Sequence, residues 1–194
     1  MTEKRNYQND VVPFLNKATV IELTPADVEL IREFALQFQK AKSTEHIHQI
    51  DNEQEIKRYM TGFSAELALE KMLGVRILDT SLGKSENYNH ADLKSNGINV
   101  GIKCAHYGNY PVVFKQPYNA EIVTVLRGNK VYVCGVASVQ TMLKYADDNL
   151  ILNAKFRARG VKSGFYGFEQ LIPFKNLGEL KTICKNLPPR PWYK

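Results

Sequence analysis

The residues of this sequence best placed to do chemistry together are Asp92 and Lys103. Residues 98–103, Ile-Asn-Val-Gly-Ile-Lys, alternate apolar and polar. That is the pattern of a half-buried strand, with Ile98, Val100 and Ile102 on one face and Asn99, Gly101 and Lys103 on the other. A lysine closing such a strand is costly to bury unless an anion lies beside it. Asp92 belongs to a short stretch, Ala91-Asp92-Leu93, that reads as a second strand, and Lys94-Ser95-Asn96-Gly97 between the two has turn composition. An antiparallel hairpin through that turn carries Asp92 to the far end of the 98–103 strand, next to Lys103. Two readings of the pair stand at this point: a structural ion pair, or part of a reactive site.

Those residues need a scaffold, and the elements around them are legible as patterns. Thr24-Pro25-Ala26-Asp27 reads as a helix start, with Thr24 as N-cap and Pro25 in the first turn. Val28, Ile31, Phe34, Leu36 and Phe38 then carry a helix to about Lys40. A second helix runs from about Asp51 through Tyr59, Met60, Phe63, Leu67 and Leu73 to a stop at Gly74. Residues 75–78 read as a strand, and residues 112–114 as an extension of the sheet. Residues 121–126 and 130–136 read as a hairpin through Arg127-Gly128-Asn129. Ser138 reads as the N-cap of a helix through Met142 and Leu143. Turns are expected at Gly160, Gly164 and Gly167, a last helix at 177–184, and an extended Pro-rich tail at 187–191. With no internal repeat and no clean linker, the expectation is one α/β domain with a central mixed sheet flanked by helices. It comprises a helical N-terminal extension (1–50), a core (51–150) and a basic C-terminal region (151–194).

In this order of elements, from about Gly62 to Ser138, the sequence resembles the PD-(D/E)XK nuclease superfamily, whose fold is restriction-endonuclease-like. The resemblance is carried by a helix containing Gly62-Phe63-Ser64-Ala65-Glu66, a strand with Asp92, a strand ending Gly101-Ile102-Lys103, two further apolar strands and a following helix. It implies Mg2+-dependent (or Mn2+-dependent) hydrolysis of DNA phosphodiester bonds. Asp92 is then the principal metal ligand, Lys103 orients the attacking water, and Glu66 stands where relatives place a glutamate on the preceding helix. One position departs from the pattern. The second acid belongs two residues before the lysine, and that position is Gly101. Glu66 is the natural substitute, Glu70 lies one turn further along the same stripe, and the Ile102 backbone carbonyl is available as a further oxygen. A nuclease-like domain that binds nucleic acid without cutting, and a protein-interaction or assembly component with a structural Asp92–Lys103 pair, are the rival readings.

Charge supplies the remaining clue. The chain of 194 residues has 26 Lys+Arg against 20 Asp+Glu, yet residues 1–150 hold 17 basic and 18 acidic groups. The last 44 residues hold nine basic against two acidic groups, so the whole excess lies there. Such asymmetry fits either a polyanion partner or a solvated basic tail. Within it, Lys155, Arg157, Arg159 and Lys162 interleave with Phe156, Phe165, Tyr166 and Phe168. Basic and aromatic residues together suit a nucleic-acid surface, although at least half of the aromatics are expected in the core. Lys115 and Gln116 lie within reach of a phosphate or base edge. His46 and His48 read as surface residues rather than zinc ligands, and His90 and His106 flank the motif. Cys104 is expected to face the core, opposite Lys103. Trp192 and Tyr193 could anchor a dimer partner or dock on the same chain, and a homodimer suits cutting of both strands. Three cysteines are too few for a disulfide framework, and a 44% hydrophobic content excludes a disordered chain. No apolar run is long enough to span a bilayer and residues 1–13 lack a leader's apolar stretch, so a cytoplasmic setting is expected.

Overall fold

The computed structural model describes residues 5–42, 52–78, 91–151, 154–189 and 191. Two short helical turns, α1 (Tyr7–Asp10) and α2 (Val12–Leu15), lead into a strand, β1 (Thr19–Glu22). Helix α3 (Pro25–Lys42) starts at the expected cap. Thr24 Oγ1 accepts the Asp27 amide at 3.2 Å, while the Asp27 carboxylate accepts the Thr24 amide at 2.7 Å and its hydroxyl at 2.8 Å. This exchange satisfies amides that a helix start leaves without partners. Helix α4 (Asn52–Leu73) ends at Gly74, whose φ of 67° and bond to the Glu70 carbonyl at 2.9 Å close the last turn. Phe34 and Phe63 join the two helices, their ring centroids 4.7 Å apart.

The central sheet is mixed and has four strands. β2 (Val100–His106), β4 (Ala120–Arg127) and β5 (Lys130–Ala137) join β1 in the order β1-β5-β4-β2. β5 is antiparallel to both neighbours, and β2 is parallel to β4. The β4–β5 hairpin turns through Gly128 (φ 62°) and Asn129. β4 is an almost unbroken apolar run because both of its faces are covered. Ile122 and Leu126 meet Phe63, Leu69 and Leu93 on the α3–α4 side. Val123 and Val125 meet Val11, Met142, Phe165 and Phe168 on the other. Helix α5 (Val139–Lys144) lies on that second side, capped by Ser138 Oγ accepting the Thr141 amide at 3.0 Å.

A second, antiparallel sheet has the order β3-β7-β6 and is built from β3 (Val112–Phe114), β6 (Ala146–Asp147) and β7 (Lys162–Phe165). Helices α6 (Ala154–Ala158) and α7 (Leu177–Asn186) complete the described elements, and α7 sends Leu180 into the first core. Among the described residues no helix is long and apolar enough to cross a membrane.

Several expectations change. Residues 75–78 form no strand, because the Glu70 carboxylate takes the Ile77 and Leu78 amides at 2.9 and 3.1 Å. Residues 91–93 are a turn rather than a strand, tightened by a 3-10 helix at Lys94–Asn96 and a left-handed Gly97. The 112–114 strand exists but belongs to the second sheet, and Gly164 lies inside β7 rather than in a turn. The N-terminal part is not purely helical, since β1 pairs with β5. Residues 162–180 are woven into the fold through β7, Phe165, Phe168 and Leu180.

Candidate active site

Among the described residues β2 is the last strand of its sheet, so one edge carries main-chain groups without a described strand partner. The 91–98 turn covers that edge. The Leu93 amide donates to the Val100 carbonyl at 3.2 Å, and the Ile102 amide donates to Asp92 Oδ2 at 2.5 Å. Asp92 therefore does lie beside residues 102–103, as expected, reached by a tight turn instead of a paired strand. These residues fall in the first half of β2, which continues to His106. Amide and carbonyl of one strand residue point to the same edge, which puts the Ile102 carbonyl on Asp92's side of β2. Val100, Ile102 and Cys104 face the first core, leaving Gly101 and Lys103 on the opposite face. Burial pushes the Cys104 thiol up to about 11, which makes it a poor nucleophile.

The parallel register sets Gly101 opposite Glu121, the second residue of β4. The Glu121 carboxylate leans into the space that Gly101 leaves. A Cβ added at Gly101 would come 2.3 Å from Glu121 Oε2 and 3.0 Å from its carboxyl carbon. Glu121 Oε1 lies 3.5 Å from Lys103 Nζ, while Oε2 is buried with no hydrogen-bond partner among the described residues. A carboxylate thus does stand in the space at position 101, supplied by the neighbouring strand. Sequence reasoning passed over Glu121 because motif spacing counts along one strand, whereas a cross-strand neighbour is set by register. One signal was available: a charged residue heading a strand otherwise apolar on both faces.

The electrostatics follow from this arrangement. Burial pushes the Glu121 carboxyl up to about 7; Lys103 opposes the shift and the charge of Asp92 adds to it. Desolvation of its carboxyl also raises Asp92, although the residue keeps an exposed face, against the pull of Lys103 and the Ile102 amide. Two carboxylates share one ammonium, so full ionisation leaves one negative charge in excess. Hard divalent cations favour carboxylate and carbonyl oxygens. Asp92, Glu121 and the Ile102 carbonyl are the oxygens here that could hold such an ion. Among the described residues no group of three or more His, Cys, Asp or Glu gathers as a metal cage, so this would be a two-carboxylate site.

The other expected residues divide. Glu66 is half-buried on α4. Lys115 is engaged by Asp148 at 2.5 Å, and Asp148 also accepts the Ser163 hydroxyl. Gln116 is exposed just beyond β3, and Arg157 and Arg159 are exposed around the end of α6, which contains Lys155. Lys162 alone of the C-terminal basic set lies in a strand facing the motif, opposite Phe114. His106 Nε2 is 2.7 Å from Thr61 Oγ1, whose proton goes to the Lys57 carbonyl, so His106 donates and ties β2 to α4. His46, His48, His90, Trp192 and Tyr193 lie outside the described residues. Compared with family models, with curated proteins and with solved structures, the chain matches none.

Proposed function

We propose that this chain is a restriction-endonuclease-like, metal-dependent nuclease that hydrolyses DNA phosphodiester bonds at Asp92, Glu121 and Lys103. The observation that carries the reading is the Glu121 carboxylate in the space beside Gly101, next to Lys103 and coupled to Asp92. Asp92, Glu121 and the Ile102 carbonyl would hold Mg2+ or Mn2+. When bound, such an ion polarises a phosphoryl oxygen and lowers the pKa of water. The Ile102 amide fixes the Asp92 carboxylate in orientation. Lys103, held by Glu121, carries a positive charge to the place where negative charge builds on the phosphoryl oxygens. In the reaction, water oxygen bonds to phosphorus, the bond from phosphorus to the leaving sugar oxygen breaks, and that oxygen takes up a proton. Glu66 keeps a helper role in this reading only through the resemblance. The basic residues Lys155, Arg157, Arg159 and Lys162 hold the substrate backbone, a second copy supplies the second cut, and the setting is cytoplasmic.

Plasmid nicking with Mg2+ or Mn2+ tests the reading on the parent, Asp92→Asn, Glu121→Gln, Lys103→Ala and Glu66→Gln. Cleavage by the parent that falls about a hundredfold or more in the first three supports it, because each removes a group acting on the reacting centre. A loss in Glu66→Gln with full activity in Glu121→Gln would return the second acid to the helix. Equal cleavage by all variants overturns the site, and DNA binding without cleavage by any of them leaves a non-catalytic module.

A further inference from the structure

Beside the two carboxylates, the outward face of the second sheet has its own chemistry. β3 is an edge strand in which Val113 is buried while Val112 and Phe114 point away from the second core. Phe114 keeps 43% of its surface exposed, high for a large ring beside a folded sheet. Its cross-strand partner is Lys162, whose ammonium lies 5.0 Å from the ring centroid. The Lys103 ammonium lies 6.0 Å from the centroid of the same ring. One exposed aromatic therefore links the candidate active site to β7.

Of the charges near that ring, Lys162 is the one that lacks an anion among the described residues. Lys103 is paired with Glu121 and Arg58 with Glu55, at 3.5 and 3.1 Å. Lys162 has no carboxylate within ion-pair distance among the described residues. Burial, Lys103, Arg58 and Arg159 together hold it below the ordinary lysine range. Like charges gathered around an exposed ring are stabilised by a phosphate brought between them, and the ring offers a flat apolar face for a base.

We propose that Phe114, Lys162 and Lys103 bind single-stranded nucleic acid, with a phosphate between the two lysines and an unpaired base on Phe114. This rests on the nuclease reading and names the form of its substrate. In a duplex both faces of each base are already stacked, so an aromatic side chain on a sheet surface finds no base face to cover. An unpaired strand leaves that face open, and ring stacking tolerates any base. The preferred substrate is accordingly a single strand, or a duplex end frayed beside the site.

Fluorescence anisotropy of the full chain, with Ca2+ in place of Mg2+, compares labelled oligothymidylate with a blunt hairpin duplex of matched phosphate number. The parent should bind the single strand more tightly. Phe114→Leu should weaken oligothymidylate binding about tenfold while changing hairpin binding less than about twofold, and Phe114→Trp should restore it. Lys162→Gln should weaken both probes and reduce the salt slope by about one contact. Circular dichroism of each variant checks that the fold persists. Tighter binding of the hairpin by the parent, no binding of either probe, or equal losses on both probes in Phe114→Leu would overturn the inference. Cleavage of plasmid with an indifferent Phe114→Leu leaves the nuclease reading standing without it. A Phe114-dependent single-strand preference in a chain that cuts nothing leaves the binding surface without the nuclease.

Discussion

Glu70, near the end of α4, and Glu121, at the head of β4, are both acids drawn away from solvent, yet the chain treats them differently. The Glu70 carboxylate receives the amides of Ile77 and Leu78, so its charge is met by donors and it fixes the chain after α4. Glu121 is more deeply buried, and one of its oxygens meets no donor among the described residues. Glu55 repeats the first pattern, accepting from Arg58 and from the Tyr59 hydroxyl at 3.1 and 2.7 Å. Burial alone therefore does not mark a functional acid in this molecule. The distinguishing property is unmet hydrogen-bonding capacity next to a second acid, which a stable fold does not keep without some return.

The contrast can be broken most directly through activity. Glu121→Gln should reduce metal-dependent cleavage about a hundredfold or more, while Glu70→Ala should leave cleavage per folded molecule within about twofold. Initial rates normalised to the folded fraction decide this, and a large loss in Glu70→Ala would erase the distinction.

The next effect is on stability against pH. The folded Glu121 carboxyl titrates near 7 against an ordinary 4.5. Between those values the folded chain binds more protons than the unfolded one, so its contribution falls as pH rises through that window and levels off above it. The full swing is about 3 kcal/mol, from about 1.4 kcal/mol per pKa unit. Raised Asp92 adds in the same direction. Urea unfolding at several pH values should show the slope in the parent and a weaker one in Glu121→Gln. Added Mg2+ should flatten it as well, because a bound cation favours the ionised acids.

Smaller effects sharpen the comparison. Glu70→Ala leaves two amides without an acceptor and should cost about 2 kcal/mol of unfolding free energy. Gly101→Ala should cost about 1–3 kcal/mol, because its methyl group runs into the Glu121 carboxylate. In Glu121→Ala the same substitution should cost much less, and a double-mutant cycle by urea denaturation measures that coupling. Smallest of all, Lys115→Gln should change DNA affinity by less than about threefold, since Asp148 already occupies that ammonium.

Much of the scaffold was legible because its causes are local. Thr24 and Ser138 cap helices through contacts three residues along the chain, and Gly128-Asn129 sits where a two-residue turn must reverse the strand. Asp92 meets Ile102 in β2 because only a short turn separates them. Residues 75–78 misled for a physical reason: their apolar pattern suits a strand, but a side chain on α4 took the amides a strand partner would have used. Phe165 and Phe168 are core residues, as half of that aromatic set was expected to be.

By itself the sequence determined the helices, the β4–β5 hairpin, the Asp92–Lys103 proximity and the empty side-chain position at Gly101, all set within a few residues of chain. Only the tertiary structure decided what fills that position. Gly101 and Glu121 are twenty residues apart and meet through the parallel register of β2 on β4. That register is fixed by packing two faces of a sheet at once, and no local pattern encodes it. The same holds for Lys162, which reaches Phe114 because β7 pairs with β3 across nearly fifty residues.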